Sequence, residues 1–221
     1  MASNVPDNGV LVVGLGRFGT ALATTLMDLG HEVLGVDSDA ENVQRNADVL
    51  THVVVADATD EDVMQQLGAA EFGRAVVAIG TDLEASILTT SLLVDLKVPD
   101  IWAKAVTVAH GRILERVGAH HVVFPEHDMG RRVAHLVTGR MIEFVQLDEG
   151  FALVELKPPR QIVGRSLDDA QVRQRYGITV VCIKAEGGAF TYATQDTVPG
   201  PNDIIVVAGE TDRVKDFANL G

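Results

Sequence analysis

One short segment constrains this chain more than any other. Gly14-Leu15-Gly16-Arg17-Phe18-Gly19 follows the β-branched run Val10-Leu11-Val12-Val13 without a break and opens a stretch with helical spacing. Roughly 20 residues past these glycines, Asp37 closes the next apolar run, Val33-Leu34-Gly35-Val36-Asp37, which is the separation a dinucleotide-type strand–loop–helix–strand unit requires. A glycine hexamer alone is common. In this context the three glycines serve different ends. Gly14 permits the tight turn, Gly16 lets backbone approach a pyrophosphate, and Gly19 lets the helix lie against the strand with its N-terminal amides facing phosphate. Phe18 belongs to the same cofactor-facing loop. Asp37 is placed to accept hydrogen bonds from ribose hydroxyls, and its charge disfavours a 2′-phosphate there.

Further positions extend the site. Arg17 lies between two glycines, where a guanidinium reaches over a pyrophosphate or toward a third phosphate; the alternative is a solvated arginine. A cation at a helix N-terminus works against the helix dipole unless an anion is present, which favours the first reading. Asp57, in Ala56-Asp57-Ala58-Thr59 after the third apolar run, either edges a base or caps the following helix. Ala78-Ile79-Gly80 ends the fourth run with small residues against which a cofactor can lie, although Gly80 alone is equally a turn residue.

The rest of the first half repeats one unit. Runs at Val10–Val13, Val33–Asp37, Val53–Ala56, Ala75–Ile79, Ile101–Ala105 and His121–Val123 alternate with helical segments at Gly19–Leu29, Ala40–Ala47, Asp60–Leu67, Leu83–Asp95 and Ala109–Val117. Such alternation predicts βαβ crossovers and a doubly wound parallel Rossmann sheet over residues 1–126. Gly30, Gly68 and Gly118 stand where left-handed caps close helices. A helix is expected over 127–140, with Met129, Val133, Leu136 and Val137 on one face, as a crossover connector.

From residue 141 to 221 the pattern changes to a small α+β lobe. Strands are expected at Phe151–Leu156, Ile178–Lys184, Phe190–Tyr192 and Ile204–Ala208, with a helix through Leu167–Arg175 capped by Ser166 and a last helix from Thr211. A lobe of this size is near the lower limit for independent stability, so dimerisation is expected to buttress it.

Charge and composition narrow the function. A net charge of −13 repels a phosphate backbone, so nucleic acid is not a partner. No apolar run approaches the ~20 residues of a membrane-spanning helix, and Met1–Asn8 lacks the basic-then-apolar pattern of a signal peptide, which predicts a cytoplasmic protein. The single cysteine, Cys182, falls in an apolar run and reads as a buried, inert thiol. Candidates for chemistry are few. His110, His120, His121, His127 and His135 form no acid–base arrangement by spacing, and neither a Walker lysine motif nor zinc-ligand spacing is present. No catalytic residue is assigned, and the ligand reads as a signal rather than a substrate.

The chain resembles the RCK (regulator of K⁺ conductance) family of the TrkA/KtrA type over nearly its whole length. The carriers are Val12-Val13-Gly14-Leu15-Gly16-Arg17-Phe18-Gly19, Gly30-His31-Glu32-Val33-Leu34-Gly35-Val36-Asp37, Val77-Ala78-Ile79-Gly80, Ile101-Trp102-Ala103-Lys104-Ala105, Phe124-Pro125-Glu126-His127-Asp128-Met129-Gly130 and Val172-Arg173-Gln174-Arg175-Tyr176-Gly177. The Gly-Arg-Phe-Gly loop together with the Pro-Glu-x-Asp-Met-Gly segment is far more specific than the glycines alone.

That resemblance implies a regulatory ring of eight subunits, beneath a membrane K⁺-translocating dimer of the KtrB/TrkH kind. ATP in the Rossmann lobe would favour the active ring and ADP an inactive one. It further implies Arg17 as the residue that senses the γ-phosphate across the dimer, Asp37 as the ribose contact, Lys104 as another nucleotide-side residue, and Glu126 as a carboxylate that helps hold a divalent cation (Mg²⁺ or Ca²⁺) at the nucleotide interface. Cyclic di-AMP is a further candidate ligand, at the C-terminal lobe, where Arg173 and Arg175 read equally as exposed charges. The competing reading is a small NAD(H)-binding oxidoreductase or redox sensor on the same motif.

Overall fold

The computed structural model describes residues 8–137 and 141–220, and the chain divides into two compact units, Met1–Glu126 and His127–Gly221. Residues Met1–Asp7, part of the expected leaderless N-terminus, and Thr138-Gly139-Arg140, the end of the expected connector helix, lie outside the described residues.

The first unit is a parallel sheet of β1 (Gly9–Val13), β2 (Glu32–Asp37), β3 (His52–Val55), β4 (Arg74–Val77), β5 (Asp100–Lys104) and β6 (His121–Val123), in the order β3-β2-β1-β4-β5-β6. It is interleaved with helices α1 (Arg17–Asp28), α2 (Ala40–Asn46), α3 (Glu61–Gln66), α4 (Leu83–Asp95) and α5 (Val108–Val117). β1 shows why the arrangement is doubly wound, since all five of its residues are buried. Leu11 and Val13 join Val36, Leu93, Ile101 and Leu114 in one apolar cluster, whereas Val10 and Val12 join Leu15, Ala23, Val33 and Leu50 in another. A strand apolar on both faces needs cover on both faces, and each buried Leu or Val stabilises by about 1.5–3 kcal/mol. Chain order reverses between β1 and β4, the switch point where such sheets open a crevice at their carboxyl ends.

Gly30, Gly68 and Gly118 adopt φ of +86°, +70° and +110° at the ends of α1, α3 and α5, the left-handed conformation those closures require. β4 is shorter than the apolar run suggests: it ends at Val77, and Ala78-Ile79-Gly80 forms the following loop, held by the Ala78 amide on the Val13 carbonyl at 2.7 Å.

The connector helix α6 (Pro125–Leu136) starts two residues earlier than expected. Proline at a helix start fits, since its missing N–H is one the first turn leaves unpaired anyway.

The second unit is an antiparallel sheet in the order β10-β9-β11-β8-β7, from β7 (Glu143–Asp148), β8 (Phe151–Leu156), β9 (Ile178–Lys184), β10 (Phe190–Tyr192) and β11 (Ile204–Glu210). β7 is a strand that the residue pattern did not predict. The long helix expected through Leu167–Arg175 is replaced by turns and a short α7 (Val172–Tyr176). Ser166 does accept the Asp169 amide, as a cap would, but Gln171 takes a left-handed φ of +49° and interrupts the run. The amides of Leu167 and Asp168 donate instead to the carbonyls of Thr197 and Gln195. A final helix, α8 (Thr211–Ala218), buries Val214, Phe217 and Ala218 against this lobe's core, where the Phe217 ring meets Tyr176 edge-on. Within the same unit Leu136 packs on that core, His135 stacks on Phe144 at 4.0 Å, and Arg132 pairs with Glu143 through two guanidinium nitrogens. Cys182 on β9 is half-buried rather than fully enclosed.

Candidate nucleotide site

The carboxyl ends of the parallel strands gather most of the singled-out residues. The loop after β1 supplies Gly14 and Gly16, α1 starts with Arg17, Phe18 and Gly19, β2 ends in Asp37, the loop after β4 carries Ala78-Ile79-Gly80, β5 ends in Lys104, and Glu126 follows β6 in the first turn of α6. Asp57 follows β3, one strand further out.

Two of the three loop glycines are required by the structure itself, for different reasons. Gly14 has φ of +95°, and a Cβ there would lie 3.0 Å from the Ile79 amide nitrogen. At Gly19 a Cβ would sit 1.8 Å from the Gly14 carbonyl oxygen, so only glycine lets α1 approach the loop. Gly16 is different: its φ of −68° is ordinary and a Cβ would meet nothing within 4 Å. Among the described residues nothing demands glycine at that point, and the space over it is open.

The start of α1 is chemically bare. α2, α3, α4 and α5 each begin on a side-chain cap, with Asp39, Asp60, Asp82 and Thr107 accepting amide hydrogens. α1 begins on Gly16 with no side-chain acceptor and no acid in its first turn, and Arg17 stands exposed as its first residue. An uncapped helix N-terminus with an added cation favours negative charge nearby.

Asp37 is tied into the phosphate loop. Its Oδ2 accepts from the Leu15 amide at 2.6 Å and from Asn42 Nδ2 at 3.1 Å, and its Oδ1 accepts from the Asp39 amide at 2.8 Å. A carboxylate offers about four acceptor positions, so three donors leave capacity for a ribose hydroxyl. Asn42 is a site residue that sequence reasoning missed; it is brought to Asp37 by the turn between β2 and α2. Gly35 is another, since a Cβ there would come within 3.0 Å of Leu15 Cδ1 and displace the loop's one buried side chain.

Asp57 does not cap α3, because Asp60 fills that role by accepting from the Val63 amide. Asp57 instead accepts the Thr59 amide at 2.9 Å and the Thr59 hydroxyl at 2.7 Å, and these bonds hold its carboxyl below the usual carboxylate range.

Lys104 is the least exposed charge in the site, with a side chain only 10% accessible. Its Nζ lies 2.6 Å from Glu126 Oε1 and 5.5 Å from the centre of the Phe18 ring. Gly80 makes room for it, since a Cβ there would fall 3.0 Å from Nζ. Glu126 is held ionised chiefly by the Lys104 hydrogen bond, with further help from the charges of Lys104 and Arg17, so its carboxyl titrates below the ordinary range. His110, on α5, is buried; its Nδ1 accepts from the Val106 amide at 3.4 Å, its Nε2 has no hydrogen-bond partner among the described residues, and burial lowers its pKa.

A divalent cation does not fit these residues taken alone. Among the described residues no three His, Cys, Asp or Glu side chains gather, and Glu126, the one expected ligand, is already engaged by an ammonium. In the second unit Arg173 donates to Thr179 Oγ1 and Arg175 lies over the Tyr176 ring, so both have contacts within their own lobe. No helix of the described residues is long and apolar enough to cross a membrane.

Comparison with known proteins matches this organisation. The TrkA-N domain model covers residues 10–125 and the TrkA-C domain model residues 151–220. The chain is 37% identical to Ktr system potassium uptake protein A of Bacillus subtilis, over 95% of each chain. It is also 37% identical to Ktr system potassium uptake protein C of the same organism, over 93% of this chain and 94% of that one. Among solved structures the GsuK RCK domain superposes with a TM-score of 0.66 at 19% identity, over 96% of this chain and 47% of that one. The GsuK channel bound to NAD does so with a TM-score of 0.64 at 17% identity, over 96% and 39%. The chain thus spans less than half of those solved chains, and at such identity they share its fold. With a TrkA-N domain bearing the glycine loop and a TrkA-C domain behind it, the chain belongs to the RCK family of the TrkA/KtrA type.

Proposed function

We propose that this protein is the cytoplasmic, nucleotide-sensing regulatory subunit of a K⁺ transporter, not an enzyme, and that the nucleotide is ATP or ADP held in the first unit. The observation that carries the reading is the bare start of α1: Gly16 faces open space, no side chain caps the helix, and Arg17 adds a cation. In this reading the diphosphate lies on the first-turn amides of α1, Asp37 takes the ribose, Ala78-Ile79-Gly80 line the floor, and Arg17 and Lys104 face the terminal phosphate. Phe18 walls the Lys104 side of the phosphate site, and Asp57 stands toward the base.

The near-full-length similarity to two Ktr potassium uptake proteins supports the transport role and a membrane K⁺-translocating partner. The homo-octameric ring is part of the proposal and rests on the family resemblance alone. ATP and ADP differ by one phosphate, and a switch needs only that one ring state hold that phosphate better than the other. Glu126 is the carboxylate that the resemblance assigns to a divalent cation, and no step of this reading depends on such an ion. Cyclic di-AMP is retained as a candidate ligand of the second unit, with no residues assigned to it.

A dinucleotide would use the same loop and the same acid, and the GsuK channel was solved with NAD, so NAD(H) is the competing ligand. A thermal-shift panel with ATP, ADP, NAD⁺, NADH and cyclic di-AMP, with and without Mg²⁺, separates the two. A ligand that binds only the folded state stabilises by about 2.7 kcal/mol at about 100 Kd, a readily measured shift. The expected result is stabilisation by ATP and ADP. Stabilisation by NADH without ATP would favour a redox ligand and overturn the proposal.

A further inference from the structure

Asn46, the last residue of α2, is a polar side chain in apolar surroundings, and it is only 1% exposed. Val43, one turn before it, and Leu50, four residues after it, both pack in the apolar cluster of Val10, Val12 and Leu15. A leucine would continue that face. An apolar group of matching shape is commonly as stable in such a place as a hydrogen-bonded amide. Packing alone does not call for asparagine here.

The amide bridges two helices. Its Nδ2 donates to Thr20 Oγ1 of α1 at 3.1 Å and to the Asn42 carbonyl at 2.8 Å. Thr20 in turn donates its hydroxyl to the Leu15 carbonyl at 2.9 Å. That hydroxyl has one hydrogen, so with Leu15 as its acceptor Thr20 can only accept from Asn46, and the direction of the chain is fixed. Leu15 is held from its other side as well, because its amide donates to Asp37 Oδ2, the oxygen that also accepts from Asn42 Nδ2. These bonds close into a ring through α1, α2, the end of β2 and the glycine loop.

The consequence falls on Gly16. The Leu15 carbonyl and the Gly16 N–H belong to one planar trans peptide and point in opposite directions. A hydroxyl that grips the carbonyl therefore turns that N–H away from Thr20. We infer that Asn46 is a positioning residue: acting through Thr20, it fixes the Leu15–Gly16 peptide and so presents the Gly16 N–H to the phosphates of a nucleotide. The inference rests on the nucleotide reading above and adds to it a residue that touches no ligand.

The test is calorimetric titration of the full chain with ATP, comparing wild type, Thr20→Ser, Thr20→Val, Asn46→Leu and the double variant of Thr20→Val with Asn46→Leu. Serine keeps the hydroxyl and loses a methyl group, whereas valine keeps the shape and loses the hydroxyl. Thr20→Ser is expected to bind ATP as wild type does. Thr20→Val and Asn46→Leu are each expected to bind it about fivefold more weakly, the effect of one hydrogen bond. The double variant is expected to be no weaker than either single one, because both substitutions break the same chain of bonds. Wild-type affinity in Thr20→Val and Asn46→Leu would overturn the positioning role. So would a Thr20→Ser variant as weak as Thr20→Val, which would trace the effect to packing. Should Asn46→Leu fail to fold, the serine and valine variants decide alone. Absence of ATP binding in wild type would overturn the nucleotide reading instead.

Discussion

The backbone amide of Leu15 donates to Oδ2 of Asp37 across 2.6 Å, so the glycine loop and the acid at the end of the second strand are one hydrogen-bonded unit. The bond links residues 22 positions apart. It makes Asp37 a structural part of the loop as well as its proposed ribose contact.

Asp37→Ala is therefore expected to reduce stability as well as nucleotide binding. It leaves the Leu15 and Asp39 amides without their acceptor, and losing hydrogen bonds to a charged group costs about 1.5–3 kcal/mol. Urea unfolding of the full chain should show a lower midpoint with no ligand present. A variant that unfolds like wild type would show that the carboxylate does not organise the loop.

Gly16→Ala and Gly19→Ala should separate ligand space from packing. A Cβ at position 16 meets nothing, so the substitution should leave the melting temperature nearly unchanged and weaken ATP binding severalfold. A Cβ at position 19 collides with the Gly14 carbonyl, so that variant should lose about 1–3 kcal/mol or more of stability. Equal effects of the two on unfolding and binding would contradict the division.

Much of this organisation is legible in residue order. The six parallel strands announce themselves as β-branched runs because a strand buried on both faces has no polar alternation to obscure it, as in Val10–Val13. The glycine loop is legible because the backbone demands on Gly14 and Gly19 are local. What is not legible depends on partners far along the chain. Lys104 meets Glu126 only because β5 and β6 pair side by side, with Lys104 opposite Val123, and bring their ends together. β7 escapes notice because it is an edge strand in which Phe144 alone is fully buried, so its apolar signal is weak. The residues after Ser166 carry helical spacing and a working cap, yet their amides find carbonyls at Gln195 and Thr197, and tertiary pairing overrides local preference.

Acid should weaken the fold through two histidines, His110, which is buried, and His135, which is partly buried. Burial lowers the pKa of His110, and burial with the charges of Lys215 and Arg131 lowers that of His135. The folded state then binds fewer protons than the unfolded one as pH falls below about 6.5, so stability present above that point is lost as pH drops toward the folded pKa. Protonating His110 at Nδ1 would also break its bond from the Val106 amide. The slope of unfolding free energy between pH 7 and about 5 should be smaller in His110→Gln than in wild type. An unchanged slope would show that His110 does not contribute to acid sensitivity.

If the first unit distinguishes nucleotides by their terminal phosphate, the ratio of ATP to ADP affinity in wild type and in Arg17→Ala reports it most directly. Arg17 is exposed at the start of α1, so its removal should leave the fold intact. Wild type is predicted to bind ATP more tightly than ADP, and Arg17→Ala to bring that ratio close to one. Equal affinities in wild type, or a ratio that survives in Arg17→Ala, would contradict a terminal-phosphate sensor built on Arg17.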